Sequence, residues 1–152
     1  MHFFESLFVL ESRHAASVEY HSEAEAMFAI LFACIHSDEV VCNEENERFM
    51  QIVMDDAQLS ALGLTSTMGR MLQLRDNYTL HAIVQAAIPR ISEANRMGLF
   101  AKAVDLMVVD GDVPTSEQEM LKHLQMGLSI SDADAIRIAS GLTINNSSGK
   151  QA

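Results

Sequence analysis

Two acidic stretches of this 152-residue chain carry the side chains whose types and spacing could do chemistry. In the second stretch, Asp110, Gly111 and Asp112 are followed by Glu117. A glycine permits a tight turn, and a glutamate in the first turn of the next helix can bring its carboxylate back over the loop. This order matches the second half of a calcium loop, which has Asp at position five, Gly at six and Glu at twelve. The chemistry indicated is ligation of a divalent cation, calcium or magnesium, by carboxylate oxygens.

The first half of such a loop is missing, because Leu106 and Val108 stand at its first two ligand positions and supply no side-chain oxygen. The chain is therefore not an EF-hand protein. The earlier stretch departs further, with Glu39 in place of the glycine. The candidate metal ligands are Asp38, Glu39, Glu45, Asp110, Asp112 and Glu117. An alternative stays open, in which Glu45 and Glu117 only complement helix dipoles and the aspartates only form turns.

The formal net charge of −11 arises in the same two stretches. Between residues 38 and 56, seven acids accompany one arginine, which gives −6, and between 105 and 119 five acids accompany no base, which gives −5. Repulsion within each cluster favours a bound cation or a protein partner with a basic surface. The acidic balance argues against binding to nucleic acid or to anionic membrane surfaces.

Nothing else in the chain forms a recognisable catalytic motif. Glu11 and His14 have the spacing of half a di-iron site, but the second half is absent. His36 ends a predicted helix, where complementing the dipole is favoured over metal ligation. His81 and His123 have no companions in the sequence. Nucleophile, phosphate-loop, dinucleotide and zinc motifs are also absent, so we expect no enzymatic activity. A hydrolase with two metals bridged by carboxylates remains an alternative.

Helices must position these residues, because patterns typical of strands are almost absent. Apolar residues at helical spacing predict a short first helix over 3–10 and seven further segments between residue 22 and residue 140. Helix starts or breaks are expected at Ser22, Asn43, Gly63, Asn77, Ser92, Thr115 and Ser131, and Pro89 should end the helix before it. The sequence therefore predicts an all-α bundle of seven to eight helices.

A weak internal repeat relates the two acidic stretches. A shift of 72 residues aligns Met27-Phe28-Ala29 with Leu99-Phe100-Ala101, Asp38 with Asp110 and Glu45 with Glu117. The repeat halves span about 22–62 and 92–140, and their first helices, near 22–36 and 96–109, are apolar nearly all round. We expect these two helices to be buried against each other, which gives the bundle an approximate internal two-fold repeat. The predicted domain covers residues 1–144, and 145–152 form a flexible tail.

Location and redox state follow from what the sequence lacks. The start of the chain has no basic segment typical of a signal peptide, and the longest apolar run, 26–35, is too short to span a membrane. Cys34 and Cys42 do not form a disulfide framework. We expect a cytoplasmic protein without direct membrane insertion.

The segment from Val109 to Val113, followed by Glu117, resembles a motif of the TerB-like family, the helical domain of tellurite-resistance proteins. That family is also similar to the N-terminal domain of some membrane-tethered DnaJ-type co-chaperones. Its pattern is a helix ending in Ala-Asp-Gly, a small apolar residue and then Glu, in two copies. The first copy here, 37–41 with Glu45, lacks the glycine, whereas 127–129 resembles the family's ending.

The resemblance spans roughly residues 22–140. It implies a helical bundle with a negatively charged face and a divalent-cation role, with no established enzymatic activity. The expected function is a TerB-like module of a bacterial stress-response, tellurite-resistance-type system. It would bind a divalent cation, a basic and membrane-associated protein partner, or both. The alternative is a metal-free protein-interaction adaptor.

Overall fold

The helix at the centre of the fold is buried along almost its whole length. The computed structural model describes residues 18–37, 41–108, 113 and 115–150, and of 142–150 it describes the backbone alone. In helix α1, Glu23–Ile35, no residue from Ala26 to Ile35 is more than 3% exposed. The Ser22 hydroxyl accepts a hydrogen bond from the Glu25 amide at 3.1 Å, which confirms the predicted cap.

Seven further α-helices and one 3-10 turn follow in the described chain, which contains no strand. They are α2 (Asn43–Asp55), α3 (Ala57–Ser60), α4 (Leu64–Asn77), α5 (Leu80–Ala87), the 3-10 turn (Ile88–Arg90), α6 (Glu93–Met107), α7 (Thr115–Gly127) and α8 (Asp132–Lys150). The predicted all-α bundle of seven to eight helices is confirmed. The helix predicted over 3–10 lies outside the described residues.

Helix α1 packs against α2, α3, α4, α5 and α6, and α6 in turn contacts α2, α7 and α8. The expected contact between α1 and α6 is therefore present. The expectation that α6 is buried all round is wrong, because part of its surface is exposed to solvent. Six of its residues are buried, whereas Met97 is 38% exposed and Lys102 is half-buried.

The repeat predicted from the sequence is reflected in the helix ends. A shift of 72 residues carries both ends of α2 onto both ends of α7, and it carries the last residue of α1 onto the last residue of α6. Glu45 and Glu117, which the repeat pairs, are both the third residue of their helix and are both buried. Each half therefore has the same order of a buried helix, an acidic connection and a second helix.

One carboxylate joins the beginnings of α1 and α6. Glu23 Oε1 accepts hydrogen bonds from the Ser92 amide at 2.8 Å, the Ser92 hydroxyl at 2.7 Å and the Asn95 side-chain amide at 2.9 Å. Ser92 stands at the predicted N-cap of α6, but its side chain makes no capping bond to that helix. The carboxylate from α1 therefore binds the N-cap residue of α6 and a side chain of its first turn, while the Ser92 hydroxyl donates to this carboxylate instead of capping the helix.

Several other helix starts differ from the prediction by one or two residues. Cys42, rather than Asn43, caps α2, because its sulfur accepts from the Glu45 amide at 3.4 Å. Thr79 caps α5, whereas Asn77 is the last residue of α4. Sulfur and threonine caps are less common than asparagine caps, which is why sequence preference favoured the asparagines.

The remaining breaks were better predicted. Gly63 precedes α4 with a φ of +83°, a conformation that glycine adopts without strain. Pro89 lies in the 3-10 turn that ends α5, and the Ser131 hydroxyl accepts from the Asp134 amide at the start of α8. The helix α7 begins at Thr115, the residue at which a helix start was predicted. The helix α8 continues to Lys150 and so covers most of the stretch predicted as a flexible tail, 145–152.

Candidate functional site

The structure describes two of the six candidate metal ligands. Asp38, Glu39, Asp110 and Asp112 lie outside the described residues. Glu45 is 5% exposed and Glu117 is 1% exposed, and each lies in the first turn of its helix. Burial of a carboxylate at this position allows it to interact with the free amides and the positive end of the helix.

The chain segments that flank the two acidic connections meet at one end of the bundle. Burial, and after it the negative charge of Glu117, raise the pKa of the Cys34 thiol, so the first turn of α7 lies near the end of α1. Ser37, just before the first connection, and Ser116, just after the second, line the same pocket. The sequence left open whether the fold brings the two acidic stretches together, and their described flanks do lie together.

The same pocket contains two histidines that the sequence left without companions. The ring centroids of His81, on α5, and His123, on α7, are 4.7 Å apart, so the prediction that they are isolated is wrong. The pocket has a volume of about 270 Å³ and is lined by Ser37, Leu80, His81, Ser116, Glu119, Met120 and His123. Burial, and after it the neighbouring His81, lower the pKa of His123.

Part of the acidic excess is neutralised by ion pairs that α6 makes with α2 and with Asp56, the N-cap residue of α3. Arg48 pairs with Asp105, and Lys102 Nζ lies 3.4 Å from Asp56 Oδ2. Partial burial acts to raise the pKa of Asp56, but hydrogen bonds from the backbone and the charge of Lys102 hold that pKa below its usual value. The first pair joins an arginine of the first acidic stretch to an aspartate of the second.

Comparison with known protein families identifies the family to which this helical bundle belongs. The family model for tellurite resistance protein TerB matches residues 24–140. The chain belongs to the TerB family. No curated protein matches the chain, and no solved structure matches it. TerB domains are generally non-catalytic helical domains, and the described helices of this TerB-family chain include none that is long and apolar enough to cross a membrane.

His36 of this TerB-family chain stands at the C-cap of α1, between an aromatic ring and an arginine. Its ring centroid lies 4.3 Å from that of Phe32, and its Nδ1 contacts the Arg75 guanidinium. Burial, and after it the positive charge of Arg75, lower the pKa of His36. Both effects favour the neutral ring over the imidazolium, and the imidazolium is the form that complements the negative end of a helix.

The part of this TerB-family chain that the structure describes contains no cluster of metal-binding side chains. Among the residues that the structure describes, no group of three or more His, Cys, Asp or Glu side chains is placed to hold a metal ion. The connections that contain Asp38, Glu39, Asp110 and Asp112 lie outside the residues to which this finding applies. The pairing of His81 with His123 could not be predicted, because 42 positions separate them in the sequence. The one local signal was the spacing of Met120 and His123, since residues at i and i+3 share one face of a helix.

Proposed function

We propose that this chain is a non-enzymatic TerB-family module of a bacterial stress-response system of the tellurite-resistance type, acting in the cytoplasm. The acidic end of its bundle binds a divalent cation, calcium or magnesium, a protein partner with a basic surface, or both. The proposed partner is a protein that can itself be attached to a membrane.

One observation carries this proposal: the flanks of the two acidic connections meet. Ser37 and Ser116 line one pocket, and Glu117 lies near Cys34 at the end of α1. Connections that begin and end close together concentrate the carboxylates of both repeat halves in a small volume. Concentrated negative charge raises the cost of ionising each carboxylate unless a cation or a basic surface offsets it.

The donor chemistry fits a hard cation. The six candidate residues, Asp38, Glu39, Glu45, Asp110, Asp112 and Glu117, offer carboxylate oxygens, which calcium and magnesium prefer over nitrogen or sulfur. Asp105 and Asp56 are not included, since Arg48 and Lys102 already balance their charges.

A metal-free adaptor is the second candidate, and the exposed methionines favour it. Met54 is 68% exposed and Met50 is 38% exposed, four residues apart on one face of α2. Flexible methionine side chains suit surfaces that dock varied apolar partners. In this case the acidic residues serve solubility and steer a basic partner to the surface.

Thermal unfolding in calcium, in magnesium and in a chelator tests the cation. A cation present at ten times its dissociation constant stabilises the native state by about 1.4 kcal/mol, which corresponds to a rise in the unfolding midpoint of about 3–6 °C for a chain of this size. We expect this rise in the wild type and its loss in Asp110→Asn.

The matched control is Asp76→Asn, which removes the same charge from an exposed position on α4. It should keep the full rise with cation. No midpoint shift in the wild type would exclude the cation and leave the adaptor. An equal shift in Asp110→Asn and in the wild type would show that the cation binds elsewhere.

A further inference from the structure

We propose that the pocket between α5 and α7 binds monovalent copper through the imidazoles of His81 and His123 and the thioether of Met120. The pocket also contains Ser37 and Ser116, which flank the acidic connections, but its proposed copper ligands are not the carboxylates proposed to bind calcium or magnesium.

The two imidazoles come from separate helices and meet at the pocket. Their ring centroids are 4.7 Å apart, and both rings line the pocket of about 270 Å³. His123 Nε2 is buried and has no hydrogen-bond partner among the described residues. A buried ring nitrogen without a partner is unusual, because desolvating it costs free energy that a hydrogen bond or a metal normally offsets.

Met120 completes a soft ligand set. It precedes His123 by three residues, which places both side chains on the same face of α7, and both line the pocket. Thioether sulfur and imidazole nitrogen together select monovalent copper over the hard divalent ions. Monovalent copper also accepts low coordination numbers, so two rings and one sulfur are sufficient.

The rest of the pocket suits this ion better than zinc or calcium. Its lining includes one acid, Glu119, and the described residues contain no group of three His, Cys, Asp or Glu side chains placed to hold a metal. Zinc sites normally require three or four such ligands. His81 is exposed, so the pocket is open to solvent and a copper donor can reach the ligands.

The experiment is an anaerobic titration of the full-length chain with monovalent copper, using the coloured chelator bicinchoninate as competitor. The wild type should withdraw one equivalent of copper and bleach the chelator complex. Met120→Leu, which keeps the volume of the side chain, and His81→Ala, at an exposed position, should each weaken the affinity about 10-fold or more.

Three controls separate this site from other ligands. Met126→Leu removes a thioether that is 73% exposed on the same helix, and His21→Ala removes an exposed imidazole. His2→Ala tests the histidine next to Met1. All three variants should bind copper as the wild type does, and so should Asp110→Asn, because the acidic connections are not part of the site.

A second measurement does not depend on the competitor. Monovalent copper is diamagnetic, so nuclear magnetic resonance can still detect the ring nitrogens next to it. Coordination should shift the ring nitrogen resonances of His81 and His123, while those of His21 should not shift. The proposal is overturned if the wild type leaves the chelator complex intact, if Met120→Leu binds as tightly as the wild type, or if His2→Ala abolishes binding. Zinc binding of equal affinity in a parallel titration would also overturn the assignment to copper.

Discussion

Replacing Glu23 with glutamine tests whether one carboxylate holds the beginnings of the two repeat halves together. Glu23 Oε1 accepts three hydrogen bonds, two from Ser92 and one from Asn95. Glutamine keeps the size of the side chain and an acceptor oxygen but removes the charge. The variant therefore isolates the charge-assisted part of these bonds.

The expected loss of stability is moderate. A hydrogen bond to a charged group contributes roughly 1.5–3 kcal/mol when buried, but Glu23 is only half-buried and water can replace its donors. The closest comparison is loss of an N-cap, which costs about 0.5–2 kcal/mol. We expect a loss of about 1–2 kcal/mol, which lowers the unfolding midpoint by about 2–8 °C in a chain of this size.

The dependence on pH gives this prediction a second measurement. Hydrogen bonds from Asn95, and then those from Ser92, lower the pKa of Glu23 below its ordinary value of 4.5. A carboxyl group with a lowered folded-state pKa stabilises the protein above the unfolded-state pKa, and this stabilisation is lost as the pH falls through the folded-state pKa. Wild type and Glu23→Gln should therefore differ fully at pH 7 and converge in acid.

Urea unfolding followed by circular dichroism at several pH values measures this difference. Glu93→Gln is the matched control, because Glu93 is the first residue of α6 as Glu23 is of α1, and it is exposed. The control should lose only the interaction with the helix dipole, about 0.3–1 kcal/mol at most. Equal losses in the two variants, or a difference from wild type that persists in acid, would refute the bridging role of Glu23.

Two further measurements test the core around α1. Tyr20→Phe should destabilise the protein by about 1–2 kcal/mol in urea, because it removes the buried 2.7 Å hydrogen bond that the hydroxyl donates to the carbonyl oxygen of Ile83. An unchanged urea midpoint would contradict this expectation. A thiol reagent should label Cys42 but not Cys34 in the native protein, because Cys34 is fully buried and burial raises the pKa of its thiol. Mass spectrometry should count one label in buffer and two in urea, and native labelling of Cys34 would be the contradicting result.

Most of the fold could be predicted because its determinants are local. The run from Ala26 to Ile35 is apolar on every side, and such a helix must be buried. Ser22, Gly63 and Ser131 mark helix ends through bonds or conformations that involve only neighbouring residues. The errors at Asn43 and Asn77 have the same origin, because preferences for cap residues differ by little free energy and nearby candidates compete.

The candidate site could be predicted only in part. The acidic residues and their repeat are visible in the sequence, since charge and spacing need no structure to be counted. The partners of those acids are not visible: Arg48 lies 57 positions from Asp105, and Lys102 lies 46 positions from Asp56. Whether an acid is free or neutralised depends on which helix faces pack together.

By itself, the sequence determined that this chain forms helices, where most of them begin, and that its excess charge lies in two related stretches. These properties follow from short-range periodicity, capping and composition. Only the tertiary structure decided that Glu23 joins α1 to α6 and that His81 meets His123 beside Met120. Such contacts depend on how helices dock, and docking is set by the packing of many side chains at once, which no local pattern encodes.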